Sequence, residues 1–112
     1  MESLSLSELA DEQLAAARAA HSGRAAHTIH GGHDHMLRQT VIALAAGREL
    51  AEHQSPGQAT LQVLRGRVRL STADDDWSGG AGDFLIIPPQ RHGLHAEEDS
   101  VVLLTVLADS RD

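Results

Sequence analysis

Two glycine-bounded segments, residues 47–66 and 82–92, each carry a short apolar run, a proline-containing turn and a histidine beside that turn. In the first segment His53 stands just before a Ser-Pro-Gly turn, and in the second His92 follows a pair of prolines. Proline and glycine supply the backbone angles of a tight turn, and short aliphatic runs between glycines are typical of strands. The pattern predicts two strand–turn–histidine units that bring His53 and His92 into one cavity.

The two segments resemble the paired motifs of the cupin family, G-x5-H-x-H-x3-E-x6-G and G-x5-P-x-G-x2-H. The residues that fall on the first motif are Gly47, His53 and Gly66, and those on the second are Gly82 and Pro88, with His92 one residue early. The similarity covers roughly residues 37–107. It implies an all-β fold, a cupin-type double-stranded β-helix or jelly-roll barrel, with one N-terminal helix.

The chain departs from the first motif at two positions, with Ser55 in place of the second histidine and Ala59 in place of the glutamate. Cupins that hold a metal use three histidines and that glutamate, so the resemblance leaves His53 and His92 as metal ligands. Catalytic zinc normally takes three protein ligands, and non-haem iron takes two histidines and a carboxylate. We therefore expect a degenerate site that binds metal weakly.

Two classes of function fit such a site. We favour a binding module, in which His53 and His92 line the cup (the open interior of the barrel) and orient a small molecule through hydrogen bonds. The nearby polar residues expected to join them are Gln39, Ser55 and Gln62. The alternative is a cupin-type metal-dependent enzyme, a dioxygenase, isomerase or lyase acting on a small organic substrate. Its cofactor is a divalent transition metal ion, and its third ligand is non-standard.

Candidates for a third ligand flank Gly31-Gly32, which is a two-residue hairpin signal because both positions tolerate a positive φ. In a hairpin closed there, His30 lies opposite His33, and His35 projects to the same side. One interpretation is a metal-binding or proton-handling cluster to which His33 or His35 contributes. We favour the other, a polar and exposed hairpin tip, because no nearby acid orients the imidazoles.

The segment 5–20 predicts one helix before the barrel. Ser5 and Glu8 have the spacing of a capping box, and alanine, the best helix former, dominates the middle. A narrow apolar stripe, expected to lie over a barrel end or a partner subunit, comprises Leu6, Leu9, Ala10, Leu14 and Ala17. The barrel is expected over residues 25–108, so that residues 1–112 form a single cupin domain.

The run Val101–Leu107 is apolar on both strand faces. An antiparallel strand with one solvated face alternates between apolar and polar residues. Two apolar faces therefore predict burial on both sides, inside the barrel and against the helix or a second subunit. Together with the apolar stripe of the helix, this run predicts a homodimer.

The charge and the residue composition limit the classes of partner that the chain can bind. A net charge of −7, with nine cationic residues that are all arginine, argues against nucleic acid, which requires clustered cations. Arg65, Arg67 and Arg69 alternate along the chain, a pattern more typical of a solvated strand face than of a ligand site. No cysteine is available for disulfides or thiolate chemistry, and no apolar run is long enough to cross a membrane. We expect a cytoplasmic protein whose partner is a small molecule, with no nucleic acid and no membrane.

Overall fold

The computed structural model describes residues 1–32, 34–54 and 57–108. Within these residues one helix is followed by nine short strands, as predicted for an all-β fold with an N-terminal helix. No helix of the described residues is long and apolar enough to span a membrane. The elements are α1 (Leu6–Ala19), β1 (Arg24–His30), β2 (Leu37–Leu44), β3 (Glu49–His53), β4 (Gly57–Arg65), β5 (Arg67–Ser71), β6 (Asp76–Gly80), β7 (Phe84–Ile86), β8 (His92–Ala96) and β9 (Ser100–Ala108).

The strands form two antiparallel sheets that pack face to face as a jelly-roll barrel. Sheet A has the strand order β1-β2-β9-β4-β7, and sheet B has the order β3-β8-β5-β6. Alternate residues of each strand point inward, so one apolar set from each sheet fills the space between them. The largest fully buried members of this inner core are Leu44, Val63, Val68 and Val102. The predicted fold class is confirmed.

The helix packs on the outer face of sheet A. The Ser5 side chain accepts a hydrogen bond from the Glu8 N–H at 3.2 Å, which confirms the predicted N-cap. Ala10 and Ala17 are fully buried, and their small side chains let the helix lie close to β2 and β9. The apolar stripe therefore covers a sheet face of its own chain, and not a barrel end.

The same packing explains why β9 is apolar on both faces. Val102 and Val106 belong to the inner core, whereas Val101 and Leu103 lie in a second core beneath α1. The helix thus occupies the surface that the sequence left open for a second subunit. The homodimer stays a prediction, and β9 no longer supports it.

The first hairpin is longer than the Gly31-Gly32 signal predicts. Thr28 pairs with Thr40, but the register shifts before His30, which lies opposite Gln39, and not opposite residue 33. The two glycines have positive φ values of 135° and 143°, far from the roughly 60° and 90° of a type I′ turn. The strand β2 consequently begins at Leu37, so the predicted turn and register were wrong here.

The chain passes from sheet A to sheet B through one residue, Gly66, which separates β4 from β5. Gly66 has a φ of 77°, and a Cβ on it would collide with the carbonyl oxygen of Asp99 and with Ser100. The buried Ser100 hydroxyl accepts a hydrogen bond from the Arg67 N–H at 3.0 Å and donates one to the Glu98 carbonyl at 2.7 Å. Glycine is required here for its backbone angle and for its close approach to the chain before β9.

We expect Gly66→Ala to lower the free energy of unfolding by about 2–5 kcal/mol, because a left-handed backbone and a backbone collision both oppose the new methyl group. Gly47→Ala is the matched control, since Gly47 has a φ of 83° but no atom within 4 Å of a built Cβ. The control should lose only about 1–2 kcal/mol. Denaturant unfolding measures both, and equal losses would contradict the role given to the close approach.

Asp99 ties the helix to this junction. Its Oδ2 accepts a hydrogen bond from Arg18 Nε at 2.7 Å, and its Oδ1 accepts one from the Ala46 N–H at 2.8 Å. The Ala46 hydrogen bond, followed by that from Arg18, holds the pKa of Asp99 below its ordinary value of 3.8, although desolvation partly opposes them. The ionised carboxylate is therefore the form that the fold favours.

Because folding lowers the pKa of Asp99, the stabilisation from its ionised form is complete above the ordinary value and disappears as the pH falls through the folded-state pKa. We expect Asp99→Asn to lower the melting temperature at neutral pH, and the difference from wild type to shrink in acid. Thermal unfolding across a pH series measures it, with Glu12→Gln on the exposed side of α1 as the control for a lost carboxylate. A deficit that stays constant into acid would contradict the linkage.

Candidate ligand-binding site

His53 ends β3 and His92 begins β8, and the two residues lie directly opposite each other in the antiparallel pair. Opposed residues share a sheet face, and here the two ring centroids are 4.7 Å apart with an interplanar angle of 61°. The His92 side chain is buried, with 4% of its surface exposed, whereas His53 is exposed. The structure brings together the two histidines that the motifs singled out, and the pair extends from the interior to the surface.

A register shift in β3 decides which side chain meets His92. Continuing the ladder from Leu50 without interruption would put Glu52 opposite His92, but one extra residue in β3 puts His53 there. A bulge of this kind re-aims a side chain. Gly93 accommodates the bulged strand, because a Cβ on it would lie 3.2 Å from the Leu50 carbonyl oxygen.

Both imidazoles are held in the same way. His53 Nδ1 lies 3.1 Å from the carbonyl oxygen of Ala51, and His92 Nδ1 lies 2.9 Å from that of Gln90. A carbonyl oxygen can only accept a hydrogen bond, so each Nδ1 carries the proton and donates. In the neutral rings both Nε2 atoms consequently keep a lone pair. The site therefore offers two neighbouring nitrogen acceptors.

The donor set falls short of a complete metal site. Within the described residues, no group of three or more His, Cys, Asp or Glu side chains is placed to hold a metal ion. The two carboxylates nearest in sequence are engaged elsewhere. Glu52 pairs with Arg91 at 3.4 Å, and Asp83 Oδ2 accepts a hydrogen bond from the Gly80 N–H at 2.8 Å. Two imidazoles do not supply the three ligands of catalytic zinc or the carboxylate of a non-haem iron site.

Two polar residues expected in the cup lie elsewhere. Gln62 is exposed on the outer face of β4, because its neighbours Leu61 and Val63 take the inner face. Gln39 lies on the face of sheet A that α1 partly covers, where its Nε2 donates to Thr105 Oγ1 at 3.2 Å. The sequence carried this signal, since polar and apolar residues alternate along β4 and the apolar set fills a small barrel.

Of the remaining candidates, Ser55 and His33 lie outside the described residues. His35 is exposed, and its ring contacts that of His30 with the centroids 4.8 Å apart. Across the described part of the chain, His35 joins no group that could hold a metal. The exposed His30 and His35 rings are at the surface, and a contribution of His33 or His35 to a metal site stays a prediction.

A cavity of about 590 Å³ opens between β6 and β7, the edge strands of the two sheets. Its wall is largely apolar, with Leu70, Trp77 and Leu85 contributed by three strands, and residues 74–76 form an acidic rim. Gln90 also lines the cavity, and the Gln90 carbonyl is the one that accepts the hydrogen bond from His92. Gln90 therefore connects the cavity to His92, although neither histidine is among the residues that line it.

Trp77 and Gln90 were not singled out from the sequence as site residues. Trp77 is the one tryptophan of the chain, and its indole lies over Gly79, where a Cβ would collide with the ring. Aromatic residues are known to cover glycines on edge strands, and a tryptophan close to Gly79 and Gly80 was the available signal. For Gln90 there was no signal, because its contribution to His92 is a main-chain carbonyl.

Comparison with known proteins places this geometry in context. A family model described as Cupin domain matches residues 40–107, more than half of the chain. A conserved protein of unknown function from Streptococcus pyogenes is 25% identical in sequence, with a TM-score of 0.72 over 81% of this chain and 79% of that one. No curated protein matches the chain.

Two enzymes are similar in structure at lower sequence identity. Salicylate 1,2-dioxygenase from Pseudoaminobacter salicylatoxidans is 22% identical with a TM-score of 0.74, covering 89% of this chain but 34% of its own. DMSP lyase from Ruegeria pomeroyi is 19% identical with a TM-score of 0.68, covering 80% of this chain and 49% of its own. The chain spans half or less of each enzyme, and these likenesses show the shared fold alone.

Proposed function

The chain belongs to the cupin domain family, and from that membership we propose that it binds a small organic molecule at the mouth of its barrel. His53 and His92 accept hydrogen bonds from the ligand, and the neighbouring apolar cavity takes the body of the ligand. The observation that carries the proposal is the shared arrangement of the two rings, each with Nδ1 donating to a main-chain carbonyl. Two Nε2 lone pairs, on rings whose centroids are 4.7 Å apart, match a ligand that carries hydroxyl or N–H donors.

The cavity supports this function in size and character. Its volume of about 590 Å³ lies in the range of small-molecule pockets, which are usually apolar with a few convergent polar groups. Trp77 supplies a large flat surface, and Leu70 and Leu85 connect the wall to the inner core. The buried His92 loses less freedom on binding than an exposed side chain would, because packing already holds its ring.

A metal-dependent enzyme is the second candidate, and one observation favours it. Histidines that bind metal usually donate their other ring N–H to a carbonyl or carboxylate, as His53 and His92 do here. A dioxygenase and a lyase also share the fold. Against this candidate stands the missing third ligand within the described residues. We therefore rank binding through neutral imidazoles first.

Trp77 provides the test of ligand binding, since it is the only tryptophan and lines the cavity. We expect a screen of small hydroxyl- and amide-bearing molecules to yield ligands that change its fluorescence saturably. His53→Ala and His92→Ala should each weaken such binding by about three- to tenfold, the contribution of one hydrogen bond. His27→Ala, exposed on β1, is the control. Ligands that bind both histidine variants as well as wild type would contradict the proposal.

Metal binding is tested separately with zinc, nickel and iron(II) on untagged protein. We expect no tight stoichiometric binding, because two imidazoles leave the charge of a divalent ion uncompensated. Calorimetric titration of wild type, His53→Ala and His92→Ala measures the affinities. Tight one-to-one binding that both variants abolish would overturn the metal-free proposal in favour of the enzyme.

A further inference from the structure

A second group of polar side chains lies on the outer face of sheet B, on the opposite side of the sheet from the inner core. One row across the sheet runs Glu49, His95, Arg69 and Ser78, each opposite the next in register. A cavity of about 300 Å³ opens over this face, with Ser71 and Gly93 also in its wall. Gly93 contributes main chain and no side chain to this wall, where the bulged strand β3 lies close to it.

Arg69 is the unusual member of this row. Its Nε is buried without a hydrogen-bond partner, and within the described residues no carboxylate lies within 4.0 Å of its guanidinium. The neighbouring arginines differ, because Arg67 approaches Glu97 at 4.0 Å and Arg65 approaches Asp11 at 3.6 Å. A half-buried cation without a partner is costly, and such groups require an explanation. A carboxylate bound at the guanidinium supplies one, since the planar fork of arginine matches that group.

The charges around Arg69 define the rest of the ligand. Glu49 lies on the far side of His95, and its carboxylate is 3.8 Å from His95 Nδ1, a contact that is an ion pair only when the histidine is protonated. The strands that carry Glu49 and Arg69 are two strand spacings apart, about 10 Å. Both side chains line the same cavity, so a negative and a positive group face it from opposite walls. Glu52, also in the wall, disfavours a ligand with two negative charges.

We propose that this face holds a second ligand site that takes a small zwitterion with one carboxylate and one ammonium group. The carboxylate binds Arg69, and the ammonium group binds Glu49. Inner-face residues Leu70 and Leu94 separate this site from the barrel interior, so it is independent of the histidine pair.

The test uses the full chain labelled with ¹⁵N and follows the Nε–H resonances of its arginines. The probe is γ-aminobutyrate, and its two halves, butyrate and butylamine, carry one charge each. We expect a saturable shift of the Arg69 resonance with γ-aminobutyrate, at an affinity at least about tenfold tighter than with either half. Arg69→Gln should abolish this binding. Arg67→Gln, on the same face of the same strand, is the control and should retain it.

Two further variants keep the test decisive. Arg69→Lys keeps the charge without the fork, and a melting temperature like wild type with binding weakened about tenfold supports the site. Glu49→Gln should remove the preference for γ-aminobutyrate over butyrate while leaving butyrate unaffected. The proposal is overturned if γ-aminobutyrate binds no tighter than butyrate, if inorganic phosphate binds tightest, or if Arg69→Gln binds as wild type does.

Discussion

The passage of the chain from sheet A to sheet B at Gly66 is the constraint on which the rest of the barrel depends. A single residue makes the turn, and it lies against the backbone that leads into β9. The buried Ser100 hydroxyl satisfies main-chain groups on both sides of this contact. Because β9 pairs with both β2 and β4, the position of its first residues determines which side chains of sheet A point inward. The packing of the inner face therefore depends on the close approach of Gly66 to the main chain at Asp99 and Ser100, in which the Ser100 hydroxyl is the one side chain involved.

The candidate site depends on a second backbone feature, the bulge in β3. With regular pairing, Glu52 would lie opposite the buried His92. Its carboxylate would then be drawn from the surface toward the interior, where it would need a partner. The extra residue instead places His53 there and lets Glu52 reach Arg91 at the surface. Two main-chain carbonyls then orient the rings. The chemistry offered by the pair is therefore determined by backbone geometry as much as by residue type.

This dependence explains what the sequence could and could not predict. The helix, the all-β class and the closeness of His53 to His92 follow from capping, periodicity and motif spacing, which are local or family-wide patterns. The bulge itself leaves no residue signature, so the alternation of side chains along β3 could not show that Glu52 turns away from His92. The turn after β1 failed for a related reason. Two glycines permit a tight hairpin, but they permit other positive-φ backbones equally well, and the pairing of Thr28 with Thr40 selected one of those.

The alternating arginines of β5 illustrate a difference that the sequence cannot predict, because it depends on contacts between strands. By sequence alone Arg67 and Arg69 are equivalent, since they occupy one face of β5 and both precede an aliphatic residue. Their difference arises across the strands. Arg67 has Glu97 within reach beyond the end of β8, whereas Arg69 lies opposite His95, which keeps the Glu49 carboxylate one strand further away. Long-range register thus turns one arginine into a solvated surface charge. It leaves the other half-buried and, among the residues that the structure describes, without a partner, the state that a bound carboxylate stabilises.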